Sequence, residues 1–201
     1  MDTSRYTVDS VILTLHDSNV FNFTITQDLL GPVYGPEFLN TSYMDGILPG
    51  LIAHYGKNQP MSINFATKQA PSSFFQVGKM GLTLTADLQV YVNSDLAATI
   101  EVISAEGSLS ATLNNFLLVI KLLTFYINDA QVVNSEIGPI NVQAMRNFVN
   151  FFAYLALPVI NGFLAPGFHL PQEYFGIVRI REATFDAMDG YCQVGIVPEF
   201  I

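Results

Sequence analysis

The side chains best suited to proton transfer, nucleophilic attack or metal ligation are few in this 201-residue chain: His16, His54, His169 and Cys192. The histidines are scattered, and no spacing among them suits a metal site, so no metal is expected. His16-Asp17 is a lone pair at the end of an expected helix, where the dipole favours an imidazolium. With no nucleophile motif beside it, the pair reads as structural or solvated. Cys192 lies beside Tyr191 on an expected strand and reads as a small core residue. G-x-S-x-G, P-loop and dinucleotide-binding glycine patterns are all missing. The expectation is therefore a protein that is not an enzyme, with no catalytic residues and no cofactor.

Binding chemistry has equally few charged candidates. Arg179 and Arg181 share a strand face near Glu182 and could touch a headgroup; an exposed, solvated face is the commoner reading. The net charge is −9, and the eight Lys and Arg residues are spread singly. That excludes a basic stripe for nucleic acid and a polybasic patch for anionic lipid. A single cysteine excludes an internal disulfide, which fits a reducing compartment or an extracellular domain whose core needs no staple. Asn22-Phe23-Thr24 and Asn40-Thr41-Ser42 are sequons, so Asn22 and Asn40 are glycosylation candidates in a secretory compartment. Met1-Asp2-Thr3-Ser4-Arg5 does not read as the start of a signal peptide.

What the chain has in abundance is apolar surface: half the residues are hydrophobic, only 12% are charged, and mean hydropathy is +0.37. This excludes disorder and suits a fold with much interior, such as one holding a lipid. Asn141 to Leu164 is expected to run as one helix of roughly 24 residues, ~36 Å long, opened by Gly138-Pro139 and stopped by Pro166-Gly167. Arg146 is its only charge, and apolar residues sit all round it. Such a helix must be wrapped by protein or membrane. Its uncharged stretch from Phe148 to Leu164 is 17 residues, short of the ~20 that a span needs. No basic cluster flanks it, so burial in protein is the expectation.

The rest of the chain supplies the wrapping. A helix is expected from Ser4 to Asp17 with Ser4 as its cap, then a strand from Val20 to Thr26. Gly31-Pro32 and Gly35-Pro36 read as breaks. A second helix, Tyr43 to Tyr55, follows the Asn40 cap, shortened or kinked by Pro49-Gly50. Alternation then gives strands from Met61, from Gly81 to Asn93, from Leu96 to Leu113 and from Phe116 to Val133. A closing pair, Phe175 to Asp186 and Tyr191 to Pro198, turns at Asp189-Gly190. The simplest packing is a strongly twisted antiparallel sheet whose apolar face wraps the long helix.

At Ile137-Gly138-Pro139, Leu157-Pro158-Val159-Ile160-Asn161 and Gly167-Phe168-His169-Leu170-Pro171 the chain resembles the second, C-terminal barrel of the bactericidal/permeability-increasing protein and lipopolysaccharide-binding protein family, of the tubular lipid-binding superfamily. There an IGP opens the long helix, an LP-x-x-N falls late in it, and GFPLP follows. Gly46-Ile47-Leu48-Pro49, Gly81-Leu82-Thr83 and the final hairpin appear in similar order, so that the likeness runs from residue 4 to residue 198. His169 stands where the family often has proline. The resemblance implies an α+β tubular barrel, a long twisted antiparallel sheet wrapped around a long helix with a shorter second helix. It implies a single barrel over residues 1–201, similar to one half of a two-barrel protein, in the secretory lumen or outside the cell. It also implies an apolar slot for the acyl chains of a phospholipid-like lipid, with a second barrel and a membrane surface as further partners. Lipopolysaccharide recognition leans on basic residues of the family's first barrel, and this chain is acidic.

Val8, Ile12 and Leu15 of the first helix and Phe148, Phe152, Leu155 and Phe163 of the long helix are the expected slot lining. Taken singly, each is better explained by plain core packing; the slot reading rests on them as a set. Two readings remain at this stage. One is a non-enzymatic lipid-binding module. The other is a barrel with a solid interior that docks a sister domain or partner protein.

Overall fold

The computed structural model describes residues 2–19, 21–35, 37–114, 116–169, 172–174 and 178–200. Strand β1 (Asp2–Ser4) runs straight into helix α1 (Arg5–Asp17). Ser4, expected as the helix cap, instead pairs with Tyr191 in a sheet. Asn19, at φ 59°, turns the chain out of the helix. Strand β2 is Phe23–Thr26; Val20, the expected start, lies outside the described residues.

Gly31 and Pro32 do not break the chain but sit inside helix α2 (Gln27–Tyr34). The missing N–H of Pro32 denies a bond only to the Asp28 carbonyl, and both residues are exposed, so water serves that carbonyl. Leu30 on the opposite face is sealed in the core. The Gln27 amide fixes both ends of the following turn, donating to Gly35 O at 2.8 Å and accepting from Leu39 N at 2.6 Å. Helices α3 (Thr41–Met44) and α4 (Leu51–Tyr55) replace the single kinked helix. Asn40 caps α3, accepting from Tyr43 N at 2.9 Å. Asp45 Oδ1 accepts from Gly50 N and Ile52 N at the start of α4. Gly50 has φ 107°, and a Cβ there would fall 2.4 Å from Ile137 O, so only glycine permits this close approach.

Strands β3 (Met61–Thr67), β4 (Ser72–Gln76), β5 (Lys79–Val92), β6 (Asp95–Asn114) and β7 (Leu117–Ser135) follow in sequence. Asn93 and Ser94, both at positive φ, make the two-residue hairpin between β5 and β6. After α5 (Val142–Leu164), capped by Asn141, come β8 (Phe168–His169), β9 (Glu173–Tyr174), β10 (Val178–Met188) and β11 (Tyr191–Phe200). Phe175, the expected start of the last hairpin, lies outside the described residues.

Two antiparallel sheets result. The larger has the order β2-β3-β5-β6-β7-β8, with β4 also paired to β5; the smaller is β1-β11-β10-β9. Strands β3 and β4 divide one edge of β5 between them: β3 pairs with Ala86–Val92 and β4 with Lys79–Thr83. Gly81 is needed at the second position, where a Cβ would lie 2.3 Å from Gly107 O and 2.4 Å from the Phe74 ring. Register shifts interrupt the β6–β7 ladder at four points, including Ser108/Leu109, as bulges that bend long strands do.

A mismatch of rise organises the interior. Strand β6 has 20 residues, or ~65 Å at ~3.3 Å each. Helix α5 has 23, or ~34 Å at ~1.5 Å each. One helix therefore covers about half of the sheet. The proximal half, from the β5–β6 hairpin to about Gly107, is covered by α5 and by α2, α3 and α4. The distal half meets α1 and the smaller sheet, whose β10 contacts β4, β5 and β6.

Candidate lipid-binding interior

The proximal half is filled. Phe148, Phe152 and Leu155 of α5 are fully buried against Ile63, Leu88, Val90 and Ile100 of the sheet. Phe152 stacks on Phe65 with centroids 5.7 Å apart, and Phe65 in turn meets Phe23 at 5.1 Å and Phe125 at 6.4 Å. These three members of the expected lining are neighbours in one solid core.

The distal half is packed differently. On β6 the inward positions Ala98, Ile100, Val102, Ala105 and Gly107 are buried, whereas Leu109, Ala111 and Leu113 are only half-buried. On β7, Phe125 and Leu122 are buried, and Ile120 and Leu118 are half-buried. A second, smaller cluster lies here: Phe75, Met80 and Cys192, with Val8, Leu109, Ala111 and Ala187 packed against it. Leu109 touches both clusters. Val8 thus joins the distal cluster, and Leu15 is half-buried on the same helix. Ile12 is buried but belongs to neither cluster.

The boundary between the halves is held by Asn161. Its amide accepts from Leu122 N at 2.8 Å and donates to Leu122 O at 2.9 Å. This side chain therefore acts as one residue of a neighbouring strand on the outer edge of β7. A few residues on, the backbone takes over that edge as β8, with Phe168 against Leu118 and His169 against Leu117. The Asn161 amide and the segment after Gly167 close an edge that would otherwise be open.

Helix α1 is fixed to the sheet by one carboxylate. Ser73 donates to Asp9 Oδ1 from both its N–H and its hydroxyl, at 2.7 Å each, and Arg5 pairs with Oδ2 at 3.3 Å. Burial pushes the Asp9 carboxyl up, but these donors outweigh it and hold the group below its ordinary value.

Helix α5 is less enclosed than its composition predicts. By length and composition it could cross a membrane, and 33% of its most apolar window is buried. It carries Tyr154, 62% exposed, and, half a turn round the helix from it, Phe163, 64% exposed. Phe163 is thus separated from the rest of the expected lining. It borders an open cleft of about 260 Å³ between α2 and the end of α5, lined by Leu29, Leu30, Tyr34, Pro158, Val159, Gly162 and Phe163. The α2 wall is hidden in the sequence because Gly31-Pro32 reads as a break. The signal was Leu30 and Tyr34, four residues apart on one helical face.

The remaining candidates are dispersed. Arg181 pairs with Glu199 across the hairpin at 2.8 Å, not with Glu182, because the ladder slips between Ile180 and Glu182. His16 Nδ1 lies 3.7 Å from Asp17, His54 lies against Tyr55, and His169 is exposed on β8. Among the described residues no three His, Cys, Asp or Glu side chains come together as a metal site would need. Asn22 is exposed, and its carbonyl accepts from Thr67 N. Asn40 is half-buried, with its carbonyl capping α3 and its amide donating to Glu37 O at 2.7 Å.

Residues 1–196 match the family model described as the LBP / BPI / CETP family, C-terminal domain. No curated protein sequence matches the chain. Among solved structures, the crystal structure of lipopolysaccharide binding protein superposes with a TM-score of 0.57 at 19% identity, over 90% of this chain and 40% of that one. At that identity the likeness concerns the fold, and the chain spans less than half of that protein's length.

Proposed function

Because the chain belongs to the LBP / BPI / CETP family, a family of lipid-binding proteins, and matches its C-terminal domain over residues 1–196, we propose that it is a single lipid-binding barrel without catalytic activity, and that it holds the acyl chains of a phospholipid-like lipid in the distal half of its interior. One observation carries this reading: the inward face of β6 changes from sealed to half-exposed apolar side chains beyond Gly107, toward the end of the helix. Hydrocarbon laid on Leu109, Ala111 and Leu113 completes the burial that the protein leaves unfinished. Each methylene taken from water contributes about 0.8 kcal/mol, so one acyl chain contributes several kcal/mol. Val8 and Leu15 form the wall on the α1 side. Phe148, Phe152 and Leu155 close the inner end as a plug and do not line the slot.

Native mass spectrometry of the purified 201-residue chain tests the proposal. The expected result is co-purified lipid, exchangeable for a fluorescent phospholipid and reduced in Leu109→Gln with the circular dichroism unchanged. A ligand-free protein that takes up no fluorescent phospholipid would leave the second reading, a packed barrel that docks a sister domain or partner, which the solid proximal half favours. The same proposal places the domain in the secretory lumen or outside the cell, with Asn22 as the better-presented sequon. A glycan at Asn22 on protein recovered from a secretory host is the matching observation.

A further inference from the structure

The cleft between α2 and α5 lies on the outside of the fold, apart from the distal slot, and it runs into a cluster of aromatic rings. Tyr34 lines the cleft. Its ring lies 5.8 Å from Tyr154 and is stacked on Phe38 at 4.9 Å. Phe38 in turn meets Tyr43 at 4.5 Å and Phe151 at 5.6 Å. Tyr154 and Tyr43 present half or more of their surface to solvent. Pro158, which lines the cleft, follows Tyr154 by one helical turn, so the cleft and the rings adjoin. Burial, and then the neighbouring Tyr154 hydroxyl, raise the Tyr34 phenol above its ordinary value.

The segment that carries α2 and the rings Tyr34, Phe38 and Tyr43 is acidic. From Tyr6 to Gly56 the sequence holds no lysine or arginine. Asp28 and Glu37, beside the cleft and the rings in sequence, are exposed. The one cation of α5, Arg146, lies eight residues before Tyr154, ~12 Å along the axis. An anionic head would find no lysine or arginine on this segment. A weakly hydrated cation would meet aromatic rings, whose quadrupole attracts it.

We propose that this cleft and its aromatic cluster form a second binding site, taking an amphiphile with a quaternary ammonium head: hydrocarbon in the cleft and the cation on the exposed faces of Tyr154 and its neighbours. The site is independent of the distal slot and shares none of its residues.

The test compares octyltrimethylammonium, octyl glucoside and octyl sulfate, all below their micelle concentrations, by calorimetry and by methyl NMR of the full chain. The cation is expected to bind most tightly and the anion most weakly, with shifts at Leu29, Leu30 and Val159. Tyr154→Leu keeps apolar bulk and changes no charge. It is expected to weaken the cation alone, by roughly two- to five-fold, as a partly exposed cation–π contact predicts. Phe163→Ser is expected to weaken all three. Both side chains are mostly exposed, so neither variant threatens folding. Equal affinities for the three heads, equal losses in Tyr154→Leu, or shifts confined to Val8 and Leu109 would each overturn the site. Lipid co-purified in the distal slot is expected to be unchanged in both variants, which separates failure here from failure of the slot.

Discussion

Asn161→Ala is the sharpest perturbation of the boundary between the two halves. It deletes both hydrogen bonds to Leu122, at 2.8 and 2.9 Å. Leu122 is buried, and its N–H and C=O point to the edge of β7 that α5 covers. Each buried backbone group left without a partner costs about 1–3 kcal/mol. Water reaching one of them recovers part of this, so the expected loss is about 2–4 kcal/mol. For a chain of this size each kcal/mol lowers Tm by roughly 2–4 °C, giving a drop of about 6–12 °C for a loss near 3 kcal/mol. Thermal unfolding by circular dichroism reads the stability, and hydrogen exchange at the Leu122 amide reads the contact itself. Asn161→Asp keeps an acceptor for Leu122 N–H but offers no donor to its C=O at neutral pH. It is expected to be at least as destabilising there, and to regain ground on Asn161→Ala as acid protonates the carboxylate. The reasoning fails if Asn161→Ala costs no more than Asn150→Ala on the exposed face and the Leu122 amide remains protected.

The Asp9 carboxyl is held below its ordinary value of 3.8 in the folded chain. Its contribution is therefore present above about pH 4 and is lost as the pH falls through the lower folded value. Asp9→Asn is expected to cost about 1 kcal/mol at neutral pH, toward the low end because the carboxylate is 32% exposed; the gap in Tm from the parent should close on acidification below about pH 4. Gly81→Ala drives a methyl group into Gly107 O and the Phe74 ring, for an expected loss of about 1–3 kcal/mol. Gly46→Ala, whose nearest contact would be 3.9 Å away, is expected to change stability by less than about 0.5 kcal/mol in a chemical denaturation series.

Where local chemistry decided the outcome, it could be read in advance. Asn40 is a cap because a side-chain oxygen placed before a helix finds the N–H three residues on, and Asn141, expected as the first helical residue, caps α5 in the same way. Asn93-Ser94 is a hairpin turn at positive φ, which asparagine adopts more readily than most residues. Met61, Ile63 and Phe65 face inward because strand side chains alternate. Helix α2 was not readable in the same way. Its Gly31-Pro32 obeys the rule for a break, and only the burial of Leu30 and the bonds of Gln27 outweigh that rule. The candidate lining divided for a similar reason. Phe148 and Phe163 belong to one apolar helix, yet one is sealed in the core and the other is 64% exposed, because the face a helix turns to its neighbours is set by what it packs on.

The sequence by itself determined the parts: a nearly uncharged helix of about 23 residues, long alternating strands, and an ordered set of glycine, proline and asparagine positions that carries the family resemblance. Only the tertiary structure decided how far those parts reach along one another. A helix rises less than half as far per residue as a strand, so α5 ends beside Leu122 while β6 continues to Asn114. That shortfall, invisible in either segment alone, leaves one half of the interior under α5 and the other half to be closed by α1 and the smaller sheet.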